Sequence, residues 1–275
     1  MESGFNIRLP PRFSREELGA GVTIFSMDNY MDRTLPELLD GQGNPRVTYG
    51  RDFFPNHNPN HINMPFEGHG DCMMIHAAGR ITGLAPAANI VAINLFREGI
   101  DGGWGEDVYR GFRWIVGQVR TRGLQNRAVV SMALTGVGPN PDDFGLRFQR
   151  YIERIDMDVL GLIVVHSAGN TNREITDAEP LYPQMSDQVL VVAGMACDGY
   201  FWKDVETDVP GVLAGSNFGE VVDLVAPCED LPAPLRNGVV LLIPEQAAPS
   251  HAPSPLASLR VSSMGKDLAR TSWTS

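Results

Sequence analysis

The sequence predicts an α/β protein with a doubly wound, mostly parallel sheet flanked by helices. Three observations carry this. Short apolar runs rich in β-branched residues recur along the chain, nearly continuous as strands covered on both faces require. Segments with apolar residues at helical spacing lie between them. The chain has 275 residues, 43% hydrophobic and 20% charged, which suffices for one sizeable core.

In chain order, the first run covers residues 22–28, where Val22, Ile24, Phe25 and Met27 lead into Asp28. Further runs follow at 88–96, 128–134, 160–165, 189–193 and 221–225. Helices are predicted over 70–80, 106–122 and 142–155. The second carries Val108, Phe112, Ile115, Val116 and Val119 on one stripe. The third carries Phe144, Phe148, Ile152 and Ile155, with Asp142 and Asp143 at its positive end. Residues 40–68, rich in Asn, Pro and His, read as a loop. Residues 1–19 read as a polar lead-in, 20–230 as the domain, and 231–275 as an irregular Pro/Ala/Ser-rich tail without helical or strand period. Ligands of such sheets sit at the carboxyl ends of the strands, so a site is expected just after each run.

Composition narrows the function classes. A formal net charge of −11 disfavours a nucleic-acid partner. No apolar stretch is long enough to span a membrane, and the N-terminus lacks the apolar core of a secretory signal, so an intracellular chain without membrane attachment is expected. Three cysteines, Cys72, Cys197 and Cys228, cannot all pair within the chain and are expected to be reduced thiols. His57, His61, His69 and His76 do not make a metal motif. His69 and His76 would stand about 10 Å apart along a helix, and HExxH and CxxC are absent. Gly102-Gly103-Trp104-Gly105 is not a GxGxxG fingerprint, which argues against a dinucleotide-binding protein. No cofactor or metal is expected.

The strand ends carry the chemistry. Asp28 ends the first run and is followed by Asn29-Tyr30 and the turn Leu35-Pro36-Glu37-Leu38. Gly68-His69-Gly70 opens a helix that leads to Gly83-Leu84-Ala85-Pro86 and the next strand. Ser131-Met132-Ala133-Leu134-Thr135-Gly136 ends another run. His166-Ser167-Ala168-Gly169-Asn170 follows the one after that. Ser216-Asn217-Phe218-Gly219 leads to Asp223 and Ala226-Pro227. In this order and at these spacings the blocks resemble the subtilisin-like serine proteases, over about three quarters of the chain.

That resemblance implies a subtilisin-like fold and hydrolysis of a peptide or protein substrate, with no cofactor. It implies Asp28 and His69 as the aspartate and general base of an Asp-His-Ser mechanism, and Asn170 as a donor to the oxyanion. Ser131, Ala133, Leu134, Thr135 and Gly136 would form the strand that binds substrate backbone. The chain departs from the family at several positions. Asn29-Tyr30 stands for a small residue and glycine, Asp71-Cys72 for Thr-His, Thr135 for glycine and Cys228 for the glycine after Ala-Pro. The family's Gly-Thr-Ser-Met-Ala-x-Pro heptad does not occur in 228–275. Ser263, in Val261-Ser262-Ser263-Met264, keeps Ser-Met and is the candidate nucleophile; Ser272 keeps Thr-Ser only three residues from the chain end. An impaired or inactive enzyme is therefore expected, with an incomplete C-terminal part such as a truncated or mis-spliced product would have. The alternative is a peptide-binding pseudoprotease.

Overall fold

A computed structural model describes residues 17–29, 31–53, 68–95, 104–134, 144–155, 157–207, 209–229, 231–234 and 240–242. Its strands are β1 Thr23–Asp28, β2 Val47–Asp52, β3 Asn89–Asn94, β4 Ala128–Met132, β5 Leu162–Ser167, β6 Val189–Met195, β7 Val205–Glu206, β8 Leu213–Ala214, β9 Leu224–Pro227, β10 Pro232–Pro234 and β11 Val240–Leu242. The helices are α1 His69–Ala78, α2 Trp104–Thr121, α3 Phe144–Arg154 and the short α4 Met157–Leu160. Seven strands form one sheet in the order β2-β3-β1-β4-β5-β6-β9, every pairing parallel. β7–β8 and β10–β11 are small antiparallel pairs.

Strand alternation divides the core in two. Phe25 and Met27 of β1, Val91 and Ile93 of β3, and Val130 and Met132 of β4 face α2 and α3. The predicted stripe of α2 is buried along its whole length, and the Phe112 ring meets Phe148 of α3 edge-on at 5.3 Å. Ile24 of β1, Ile90 and Ala92 of β3, and Val129 of β4 face α1, whose Met74, Ile75 and Ala78 are fully buried. Because Ile24 looks toward α1, so do Ser26 and Asp28 two and four residues on. This parity brings the aspartate to the start of α1.

Three sequence expectations change. Residues 231–275 are not all irregular, because 232–234 and 240–242 form the antiparallel pair β10–β11. Residues 40–68 are not all loop: 47–52 form β2, which among the described residues is an edge strand paired only with β3. Among its residues only Val47 is buried, so no run of apolar residues announces it. The last strand begins at Leu224 rather than 221. Val222 N–H closes a turn onto the Gly219 carbonyl, and the Asp223 carboxylate takes the Val191 N–H at 2.9 Å before pairing with β6 starts. His57 and His61 lie outside the described residues. Among the described residues no helix is long and apolar enough to cross a membrane.

Candidate active site

The carboxyl edge of the sheet gathers the functional candidates. Asp28 is the last residue of β1 and His69 the first of α1. His69 Nδ1 donates to Asp28 Oδ1 at 2.8 Å, and the side chains are 8% and 2% exposed. A carboxylate accepts only, so the shared proton sits on Nδ1. Asp28 Oδ1 also accepts the Asn29 main-chain N–H at 2.7 Å. A buried charge held by two donors keeps one geometry.

Asn170 lies three residues past the end of β5, in a loop shaped by Gly169 and Asn217. Gly169 has φ +96°, and a Cβ there would lie 2.7 Å from Asn217 Nδ2. Asn217 is fully buried. Its amide donates to the Ala168 carbonyl at 2.9 Å. Its Oδ1 accepts from Thr171 N–H, Thr171 Oγ1 and Arg173 N–H at 3.1, 2.9 and 3.2 Å. The main chain on both sides of Asn170 is thus tied to one side chain. Asn170 Oδ1 is buried and finds no hydrogen-bond partner among the described residues.

Ser131 is an interior position. β4 pairs with β1 at Ser26 and with β5 at Val165, and the Ser131 side chain is 2% exposed. Ala133 and Leu134 follow the strand's end, and both are buried. Ser167 Oγ donates to the Leu134 carbonyl at 2.7 Å, fastening this segment to β5. Thr135, Gly136 and Ser263 lie outside the described residues. Cys72, one turn beyond His69, is a poor alternative nucleophile. Burial first, and then the Asp71 and Asp28 charges, push its thiol up to about 12, so it stays protonated at neutral pH. Burial does the same to Cys228.

Sequence reasoning singled out Asp28, His69 and Asn170 but gave no role to Asn217, Asn29 or Asp71. Asn217 appeared only as one letter of the Ser-Asn-Phe-Gly block. The other two appeared as departures from a pattern.

Known structures place this architecture. A cold adapted subtilisin-like serine proteinase superposes with a TM-score of 0.61 at 22% identity, covering 92% of this chain and 78% of that one. A prenylagaramide maturation protease superposes with a TM-score of 0.56 at 16% identity, covering 86% and 72%. The fold is subtilisin-like. In sequence, a subtilisin-like protease of Coccidioides posadasii is 29% identical over 239 residues, 85% of this chain and 51% of the relative. Subtilisin-like protease 10 of Arthroderma otae is 26% identical over 220 residues, 80% and 47%. Residues 19–264 match the subtilase family, peptidase S8, and the chain belongs to that family of serine proteases. It spans about half the length of these curated relatives. The family match includes the position of Ser263.

Proposed function

We propose that this chain is a serine endopeptidase domain that hydrolyses peptide bonds through Asp28, His69 and Ser263, at a rate well below that of a relative with an intact nucleophile heptad. The observation that carries the reading is the buried 2.8 Å bond between Asp28 and His69. A serine hydroxyl attacks a carbonyl only when a base removes its proton. His69 supplies that base, and Asp28 holds its tautomer and stabilises the imidazolium. The Asn170 amide donates to the developing oxyanion, a contribution of about 10²–10³ in rate for donors of this kind. Substrate backbone pairs with 133–136, because Ser131 is already engaged by strands on both sides. The low rate follows from the surroundings of Ser263. Its sequence has neither Gly-Thr before it nor Ala-x-Pro after Met264, the residues that in the family's heptad accompany the nucleophile.

A fluorophosphonate probe tests this on the full chain. The expected result is slow labelling, mapped to Ser263, lost in His69→Ala and in Ser263→Ala, and slowed in Asn170→Ala. The absence of that heptad from residues 228–275 favours a second reading, a peptide-binding protein without turnover. Absence of labelling in the wild-type chain, together with calorimetric binding of an extended peptide, would establish that reading instead.

A further inference from the structure

We propose that Asn29 and Asp71 form a reciprocal clamp that positions His69 on Asp28. The first N–H groups of a helix have no partner within it and need outside acceptors. α1 opens at Gly68, which is left-handed (φ 83°) and has no side chain to cap the helix. The acceptor comes from β1's end instead: Gly70 N–H donates to Asn29 Oδ1 at 2.8 Å. The reverse bond comes from α1 itself. Asp71 Oδ1, in its first turn, accepts the Asp32 N–H at 2.7 Å. Asp32 Oδ1 then accepts from Thr34 N–H and Thr34 Oγ1 at 2.9 and 2.7 Å, which orders the turn receiving the clamp.

The two bonds cross between the same two segments, as in a capping box, but between elements about forty residues apart. The segments touch at backbone distance. A Cβ on Gly70 would lie 2.8 Å from Asn29 Oδ1 and 3.4 Å from Asp28 Cβ. Asn29 joins the clamp directly to the acid-base pair. Its own N–H donates to Asp28 Oδ1, the oxygen that also receives His69 Nδ1. A small hydroxyl residue at 29 could not place an amide oxygen over Gly70, and a neutral hydroxyl at 71 could not bring a carboxylate to Asp32. These departures from the family therefore belong together. Asn29 and Asp71 are positioning residues; neither is required to touch substrate.

The clamp rests on the reading of Asp28 and His69 as the acid-base pair, but it has a readout that does not need turnover. Amide hydrogen exchange and the downfield Nδ1–H proton of His69 are measured by NMR on the full chain. Asn29→Ala is expected to speed exchange of the Gly70 amide about two- to tenfold, the factor that goes with loss of one hydrogen bond, and to broaden the His69 Nδ1–H signal. Asp71→Ala is expected to deprotect the Asp32 amide, and Asp71→Asn, which keeps an acceptor oxygen, to restore it. Where labelling is measurable, either alanine variant should slow it about tenfold with little change in peptide affinity. The double variant should add little, because the bonds act as one unit. An unchanged Gly70 amide and an unchanged His69 Nδ1–H signal in folded Asn29→Ala would overturn the clamp. If Asn29→Ala does not fold, an unchanged Asp32 amide in Asp71→Ala overturns it. The expected NMR changes in a chain that never labels would uphold the clamp and remove the proposed activity.

Discussion

Single side chains fix the geometry of the Asn170 loop. Asn217 uses both ends of its amide on main-chain or hydroxyl partners from Ala168 to Arg173, and Gly169 admits it only because it carries no Cβ. Truncating Asn217 leaves a buried carbonyl at Ala168 and donors at Thr171 and Arg173 without partners. Each such orphan is expensive, so Asn217→Ala should destabilise the domain by roughly 2–4 kcal/mol. Urea denaturation measures this, and a loss within the error of the extrapolation would refute it. Asn217→Asp separates the two halves of the network. It keeps the acceptor and removes the donor to Ala168, so its loss should be smaller than that of alanine unless the buried charge dominates. Residues of this kind were hard to read in the sequence. Asp28, His69 and Asn170 sit in short blocks that come in a family-like order, whereas Asn217 serves a loop 49 residues away and only folding shows which one.

At the scale of elements, α1 is held from outside at both ends, which explains how a helix without a cap of its own can carry His69. At its C-terminal end the Arg46 guanidinium donates to the carbonyls of Ala78, Glu37, Ala88 and Leu39. A cation there complements the helix dipole and fills orphan acceptors. Burial lowers the Arg46 pKa, and the Glu37 and Asp40 charges oppose that shift. Glu37, itself buried, accepts the N–H groups of Ile81 and Thr82 at 2.9 and 3.2 Å, closing the turn after the helix. Arg46→Met keeps the apolar stem and removes every donor, so it should cost about 2–4 kcal/mol in chemical denaturation, more than Arg46→Lys. Equal losses for Met and Lys would mean that packing, not donation, is what Arg46 supplies. The same elements show what sequence pattern can reveal. α2 and α3 were legible because their apolar residues repeat at the helical period, and the central strands because burial on both faces leaves nearly unbroken apolar runs. β2 was not, since an edge strand with Tyr49 and Arg51 turned outward pairs through its backbone and has little periodic signal. Arg46 was silent for a related reason: its partners are carbonyls, which every residue possesses.

The whole molecule carries a titration that couples to its stability. His166 sits in β5, an interior strand of the sheet, and is 1% exposed. Its Nδ1 donates to the Ser167 carbonyl at 2.8 Å, and that carbonyl also accepts Gln184 Nε2 at 3.1 Å. Burial lowers the His166 pKa from 6.5 to about 4, against the raising effect of the Ser167 bond. The sign follows from proton counting. Between pH 6.5 and 4 the unfolded chain binds a proton at this histidine that the folded chain refuses, so the stability present above pH 6.5 is lost as pH falls and levels off below about 4. The full span corresponds to about 3 kcal/mol. The formal charge of −11 acts in the opposite direction, because protonating carboxylates over the same range relieves self-repulsion. Wild-type data alone therefore mix two trends, and a difference is needed. His166→Met fills a similar volume without a titrating group, and the carboxylates are common to both proteins. Urea midpoints measured from pH 7.5 to 4 should fall more steeply in the wild type than in His166→Met, with the gap opening below pH 6.5. Parallel curves would show that His166 is not held neutral by the folded sheet.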